Sequence, residues 1–233
     1  RTRVHEYGGG AYAVAGDTVY FSHFADNCLY RVAGDAAPEA LTTGGNTRHA
    51  DFVVDAARAR LIAVREQHPT EGHAHPENCL AAVGFDGHAT VLARGHDFYA
   101  APRLSPDGSQ LAWISWDHPR LPWQGTELRL ADVHADGSLG SPRLIAGGAR
   151  ESICQPEWSP NGLLHFVSDS SGWWNLYRLH GADIEALCPM EAEFATPHWT
   201  FGGSMYGFLS DDELVCTYIQ AGVSYLARLN VAA

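Results

Sequence analysis

Pro102-Arg103-Leu104-Ser105-Pro106-Asp107-Gly108 returns later in the chain as Pro156-Glu157-Trp158-Ser159-Pro160-Asn161-Gly162. A degenerate form, Pro197-His198-Trp199-Thr200-Phe201-Gly202-Gly203, follows. Each copy is trailed by two apolar runs of β-prone residues. The spacing from Pro102 to Pro156 is 54 residues, and from Pro156 to Pro197 it is 41. A unit of roughly 40–50 residues built from short strands is the repeat of a four-stranded propeller blade. The phrase itself is a turn: Pro presets φ at the second position, and Asp-Gly or Asn-Gly accepts positive φ.

The cleanest unit shows the grammar. Cys154–Trp158 makes a first strand, Ser159–Gly162 turns, and Leu163–Ser168 makes a second strand. Asp169–Gly172 turns again, Trp173–Leu179 makes a third strand rich in aromatics, and Ile184–Cys188 an outer one. The same order fits residues 8–42, 49–93, 97–146 and 194–231, alongside 152–189. That makes five blades, with inner strands expected near 11–14, 50–54, 99–104, 153–158 and 194–199. The last blade lacks its outer strand. No stretch sustains a 3.6-residue apolar period, so almost no helix is expected.

Composition narrows the function. The chain has 233 residues, 45% of them hydrophobic, enough for a substantial core. Its formal net charge is −12, and all 15 of its basic residues are Arg. Without a basic face to displace counterions, neither nucleic acid nor an anionic membrane is expected as a partner. The five cysteines, Cys28, Cys79, Cys154, Cys188 and Cys216, are odd in number and show no C-x-x-C spacing. They read as reduced thiols of a cytoplasmic protein. No run reaches the roughly 20 apolar residues of a membrane-spanning helix. The chain does not open with Met and starts and stops within the repeat, so it reads as a piece of a longer polypeptide.

The Pro-x-Trp-Ser-Pro-x-Gly phrase resembles the repeat of TolB-like propellers and of the N-terminal propeller of the prolyl oligopeptidase (S9) family of serine peptidases. Longer strings carry the resemblance further, toward bacterial members of the acylaminoacyl-peptidase or dipeptidyl-aminopeptidase type. They are Arg3-Val4-His5-Glu6-Tyr7-Gly8-Gly9-Gly10-Ala11-Tyr12, Trp116-Asp117-His118-Pro119, Pro122–Leu128, Ser168–Arg178 and Met190–Phe194. The resemblance implies a propeller of seven or eight blades that caps an α/β-hydrolase domain of the same polypeptide and restricts entry to peptides. It implies no cofactor. The nucleophile elbow that such a hydrolase needs, Gly-x-Ser-x-Gly on a strand-to-helix turn, is missing. Gly203-Ser204 and Gly137-Ser138 both miss the spacing. No catalytic residue is assigned in this chain.

Several side chains invite a functional reading. Acidic residues projecting from the propeller bind the substrate's free amino group in dipeptidyl peptidases of this superfamily. Glu191 and Glu193 are the candidates here, with Glu151 at the matching point of the preceding blade; ordinary rim charges are the other reading. Phe98 and Tyr99 are candidates to touch substrate side chains, or else to pack between blades. Trp158 and Trp199 read as packing between blades. Trp173 and Trp174, being adjacent on a strand, must face opposite ways. His68, His73 and His75, with Glu71, Glu77 and Cys79, are weak metal candidates in a polar insertion that reads better as a solvated loop.

Two rivals stay open. A free-standing TolB-like propeller would act as a protein-binding module. A small five-bladed propeller enzyme would need channel carboxylates from several blades, which the inner strands do not supply regularly. Cut blade edges are also expected to favour either self-association or closure into a tighter ring than the parent uses.

Overall fold

The structure is a computed structural model and describes residues 1–70 and 75–232. Its described regular structure is strand throughout, apart from one 3-10 turn at Ala56–Arg58. The first sheet holds β1 (Tyr12–Ala15), β2 (Thr18–Ser22), β3 (Leu29–Ala33) and β4 (Glu39–Ala40). The second holds β5 (Thr47–Asp55), β6 (Arg60–Gln67), β7 (Glu77–Gly84) and β8 (Ala89–Ala93). The third is β9 (Phe98–Leu104), β10 (Gln110–Trp116), β11 (Glu127–Asp132) and β12 (Arg143–Gly147). The fourth is β13 (Ile153–Trp158), β14 (Leu164–Ser168), β15 (Asn175–His180) and β16 (Asp183–Ala186). The fifth has three strands: β17 (Tyr206–Phe208), β18 (Glu213–Gln220) and β19 (Val223–Asn230). Strands follow one another in sequence order within each sheet. Such repeated antiparallel meanders are propeller blades, and the protein is all-β.

The repeated phrase does in space what its chemistry dictates. Ser105 and Ser159 each close the turn between the first two strands of a blade. The Ser105 hydroxyl donates to Asp107 Oδ1 (2.6 Å) and accepts the Gln110 N–H (2.9 Å). The Ser159 hydroxyl donates to Asn161 Oδ1 (2.6 Å) and accepts the Leu163 N–H (3.0 Å). One side chain thus satisfies backbone and side-chain groups that the tight turn leaves without ladder partners.

The third phrase behaves differently. Residues 194–199 form no strand; the fifth sheet begins at Tyr206. The true counterpart of the turn is Leu209–Asp212, where Leu209 N–H donates to Glu213 O at 2.8 Å. The segment before it is claimed elsewhere. Phe194 N–H donates to Trp174 O at 2.7 Å, and Glu193 and Ile219 exchange both backbone hydrogen bonds at 2.9 Å. Those bonds occupy the groups a ladder would need. Trp199 is accordingly no inter-blade core residue but 52% exposed. Trp158 is half-buried, its indole N–H donating to Arg103 O at 3.0 Å.

The chain gathers into two compact units. One comprises Arg1–Pro102, Asp132–Ser141 and Trp199–Gly202. Its core joins the first two sheets through Tyr20, Leu29, Leu41, Phe52, Leu61, Ala63 and Val83. The other comprises Arg103–Ala131, Pro142–His198 and Gly203–Ala233. Its core joins the fourth and fifth sheets through Cys154, Val167, Trp174, Leu176, Phe194, Tyr206, Leu214 and Cys216. Trp174 is buried in that core while Trp173 is 39% exposed, as strand alternation requires. All five cysteines are free thiols.

Candidate functional site

Three carboxylates of the second unit lie on loops of the fourth sheet: one before its first strand, one between its second and third strands, and one after its last. Glu151 precedes β13 and is half-buried. Its Oε1 accepts the Ser168 hydroxyl at 2.7 Å. Asp169 follows β14, and its Oδ1 accepts the Ser152 N–H at 2.7 Å. Glu193 lies after the fourth sheet, and its Oε2 accepts the Trp174 N–H at 2.9 Å. Burial pushes the Asp169 carboxyl above its usual range. The negative fields of Glu151 and Glu193 push the same way, and the Ser152 N–H pulls back. The three groups therefore share one electrostatic neighbourhood. None of them makes an ion pair among the described residues. Half-buried carboxylates with lone pairs to spare are groups that can accept from a cation with several N–H donors.

The structure sorts the expected residues. Glu193 and Glu151 stand in this neighbourhood, whereas Glu191 is exposed. Asp169, which sequence reasoning read only as a turn former, is their third member. Its signal was its position, one residue past the second strand of the blade and opposite Ser152. Phe98 sits on β9 in the other unit, half-buried and edge-on to the His5 ring at 5.0 Å. Tyr99 is 1% exposed, and its hydroxyl accepts the His96 N–H at 3.1 Å. It packs inside and holds its neighbour from behind.

Of the weak metal candidates, His68 donates or accepts at Glu66 Oε2 (2.8 Å), depending on tautomer. His73 lies outside the described residues, as does Glu71. His75 is described but belongs to no ligand set: among the described residues no group of three or more His, Cys, Asp or Glu side chains is arranged to hold a metal. The two serines nearest to an elbow motif are committed to turns. Ser138 Oγ donates to Asp136 Oδ1 at 2.7 Å, and Ser204 Oγ donates to Tyr206 O at 3.0 Å while accepting from Gln155. Among the described residues neither has a basic partner that could remove its proton. A fluorophosphonate probe is therefore expected to label no serine of this chain. Stoichiometric labelling seen by mass spectrometry would overturn that expectation.

Blades of this construction define a β-propeller domain. No family model and no curated protein matches the sequence. Solved structures do. A puromycin hydrolase is 37% identical over 99% of this chain, with a TM-score of 0.90, and the chain covers 38% of its length. A puromycin-hydrolysing peptidase from Mycobacterium tuberculosis is 36% identical over 100% of this chain, with a TM-score of 0.88, and the chain covers 40% of it. A TolB from Agrobacterium tumefaciens, 16% identical over 95% of this chain with a TM-score of 0.61, covered to 76% of its length, shares the fold. Along its whole length the chain matches a propeller of an S9 peptidase, the prolyl oligopeptidase family. It spans about two fifths of the length of those relatives.

Proposed function

We propose that this chain is the non-catalytic propeller part of a bacterial, cytoplasmic serine peptidase, that it gates the access of peptides to an α/β-hydrolase domain of the same polypeptide, and that it holds the substrate's amino terminus. The gating reading draws on the match to a puromycin hydrolase and a puromycin-hydrolysing peptidase whose greater part lies outside the matched region. The amino-terminal reading draws on the Glu151, Asp169 and Glu193 seat. An α-ammonium is compact, carries three donors, and gains most where carboxylates are partly withdrawn from water and have no internal counter-charge. Glu191, two residues before Glu193 and exposed, is the remaining candidate for the same role. Phe98, with Tyr99 behind it, is the candidate wall for substrate side chains. Its own unit carries that role separately. The exposed edge of β19 is the place where self-association would begin.

The test is direct binding. The chain is titrated by calorimetry with a tripeptide amide bearing a free amino end and with its N-acetylated form. Acetylation is expected to weaken binding at least tenfold, since a charge-assisted hydrogen bond is worth about 1.5–3 kcal/mol. Glu193→Gln should remove most of that preference, with the double change Glu151→Gln and Asp169→Asn removing the rest. Because Asp169 takes up its proton at higher pH than an ordinary carboxyl, the preference should fade on acidification while the peptide's amine stays fully protonated. Equal affinity for the two peptides would sink the amino-terminal reading and leave the gating one standing.

A further inference from the structure

His49 of β5, Arg65 of β6 and Cys79 of β7 are direct cross-strand partners in the second sheet, His49 opposite Arg65 and Arg65 opposite Cys79. Directly opposed residues point to the same face and stand about 4.5–5.5 Å apart at Cβ. Two steps along the same strands, that face carries Ala63, Leu61 and Val83, which pack against Tyr20 and Leu29 of the first sheet. The row therefore forms the polar end of an otherwise apolar contact between the first two blades. There the Ser22 hydroxyl also donates to His49 O at 2.7 Å.

The chemistry of the row is one-sided. His49 is 4% exposed, and neither of its ring nitrogens has a hydrogen-bond partner. Arg65 is half-buried, its Nε–H is buried without an acceptor, and it makes no ion pair among the described residues. Cys79 is 6% exposed and offers an S–H beside the guanidinium. The neighbouring charges are Glu77, exposed on the same face of β7, and Arg94, just past β8. Glu66, the next residue along β6, points to the opposite face and is already engaged by the His5 N–H, Arg48 and His68. A fixed cation and two further donors are thus gathered at a largely buried spot, where the Cys79 sulfur and one imidazole nitrogen are weak acceptors and no carboxylate is hydrogen-bonded to the row. Leaving such groups unanswered is costly, and a charge-assisted acceptor of small size relieves it.

We infer that the His49–Arg65–Cys79 row is a binding site for a small monovalent inorganic anion of the halide class, which locks the first blade to the second. The anion accepts from the guanidinium and from the imidazole N–H. The half-exposed Arg65 provides its way in from solvent. This site is independent of the amino-terminal seat and stands or falls without it.

Thermal unfolding of the whole chain at constant ionic strength tests it, with sodium chloride replacing sodium gluconate stepwise. Holding ionic strength fixed removes general screening from the comparison. Chloride and bromide are expected to raise Tm along a saturating curve. At a hundred times the dissociation constant, the folding equilibrium constant rises about a hundredfold. Arg65→Met should abolish the halide response, and Arg65→Lys should keep part of it. Should Arg65→Met fail to fold, crystals of the unaltered chain grown in bromide carry the test. An anomalous peak within hydrogen-bonding reach of His49 and Arg65 supports the site, and its absence there overturns it. A Tm indifferent to halide, or one that responds equally in Arg65→Met, overturns it as well.

Discussion

Gly9→Ala is expected to destabilise the protein by about 3 kcal/mol or more, far beyond what one methyl group usually costs. Gly9 has φ +92°, a region that alanine adopts only under strain. A Cβ there would lie 2.3 Å from Phe201 O and 2.7 Å from Phe201 N. Both are backbone atoms, so no rotamer change gives relief. The contact is structural, because Gly9 and Phe201 form a parallel bridge and Phe201 N–H donates to Gly8 O at 2.9 Å. The Phe201 ring in turn lies 4.9 Å from the His5 ring. Displacing this strand of chain therefore loosens the His5 to Gly10 stretch as well. Gly16→Ala is the control. It has φ +61°, but a Cβ there meets nothing within 4 Å, so it should cost only the left-handed penalty of about 1 kcal/mol. Urea unfolding of both variants separates the two effects. Equal losses would mean that the close approach to Phe201 carries no energy.

That glycine run was legible in the sequence only as a family string, and the reason is physical. The turns that decide the fold are local. Ser-Pro-Asp-Gly and Ser-Pro-Asn-Gly enforce their geometry within four residues, so the blades around Ser105 and Ser159 could be read directly. The fifth blade could not. Its turn, Leu209-Ser210-Asp211-Asp212, lacks the Pro and Gly that advertise the others, while Pro197-His198-Trp199 imitates them. What decides between the two is which backbone groups find partners, and Trp174, Ile219 and Gly8 supply those partners from 20 to 193 residues away.

The same limit applies to the candidate site. Glu191 and Glu193 could be named only through the family resemblance, and Glu151 only as the matching point of the preceding blade. Asp169 looked like any turn aspartate until Ser152 was found opposite it. The His49, Arg65 and Cys79 row is spread over 31 positions and becomes visible only once register aligns three strands. Periodicity tells which face a residue takes but not who stands beside it.

Acid is expected to unfold this protein well above the range where its carboxylates titrate. Burial holds His5, His49, His165 and His198 at pKa values of about 4, against 6.5 for a free side chain. For His165 the neighbouring Arg178 charge adds to burial, while its bond to the Leu163 carbonyl and the Glu185 charge act against it. A histidine with a depressed folded pKa favours the native state only while neutral. Its contribution is complete above the unfolded pKa and is lost as pH falls toward the folded one. His165 is 0% exposed and His49 4% exposed. At about 1.4 kcal/mol per pH unit, each stands to lose on the order of 3 kcal/mol between pH 6.5 and 4. Two such losses rival the whole stability of a typical domain. Asp169 works the other way, since a carboxyl with a raised folded pKa favours the native state as it takes up its proton, but it is one group against four. Urea titrations at pH 7 and pH 5 measure the balance. His165→Gln cannot titrate and still offers a donor toward the Leu163 carbonyl. It should shrink the stability lost between those two pH values by about 2 kcal/mol. An unchanged loss in that variant would place the acid sensitivity of the fold somewhere other than in its buried imidazoles.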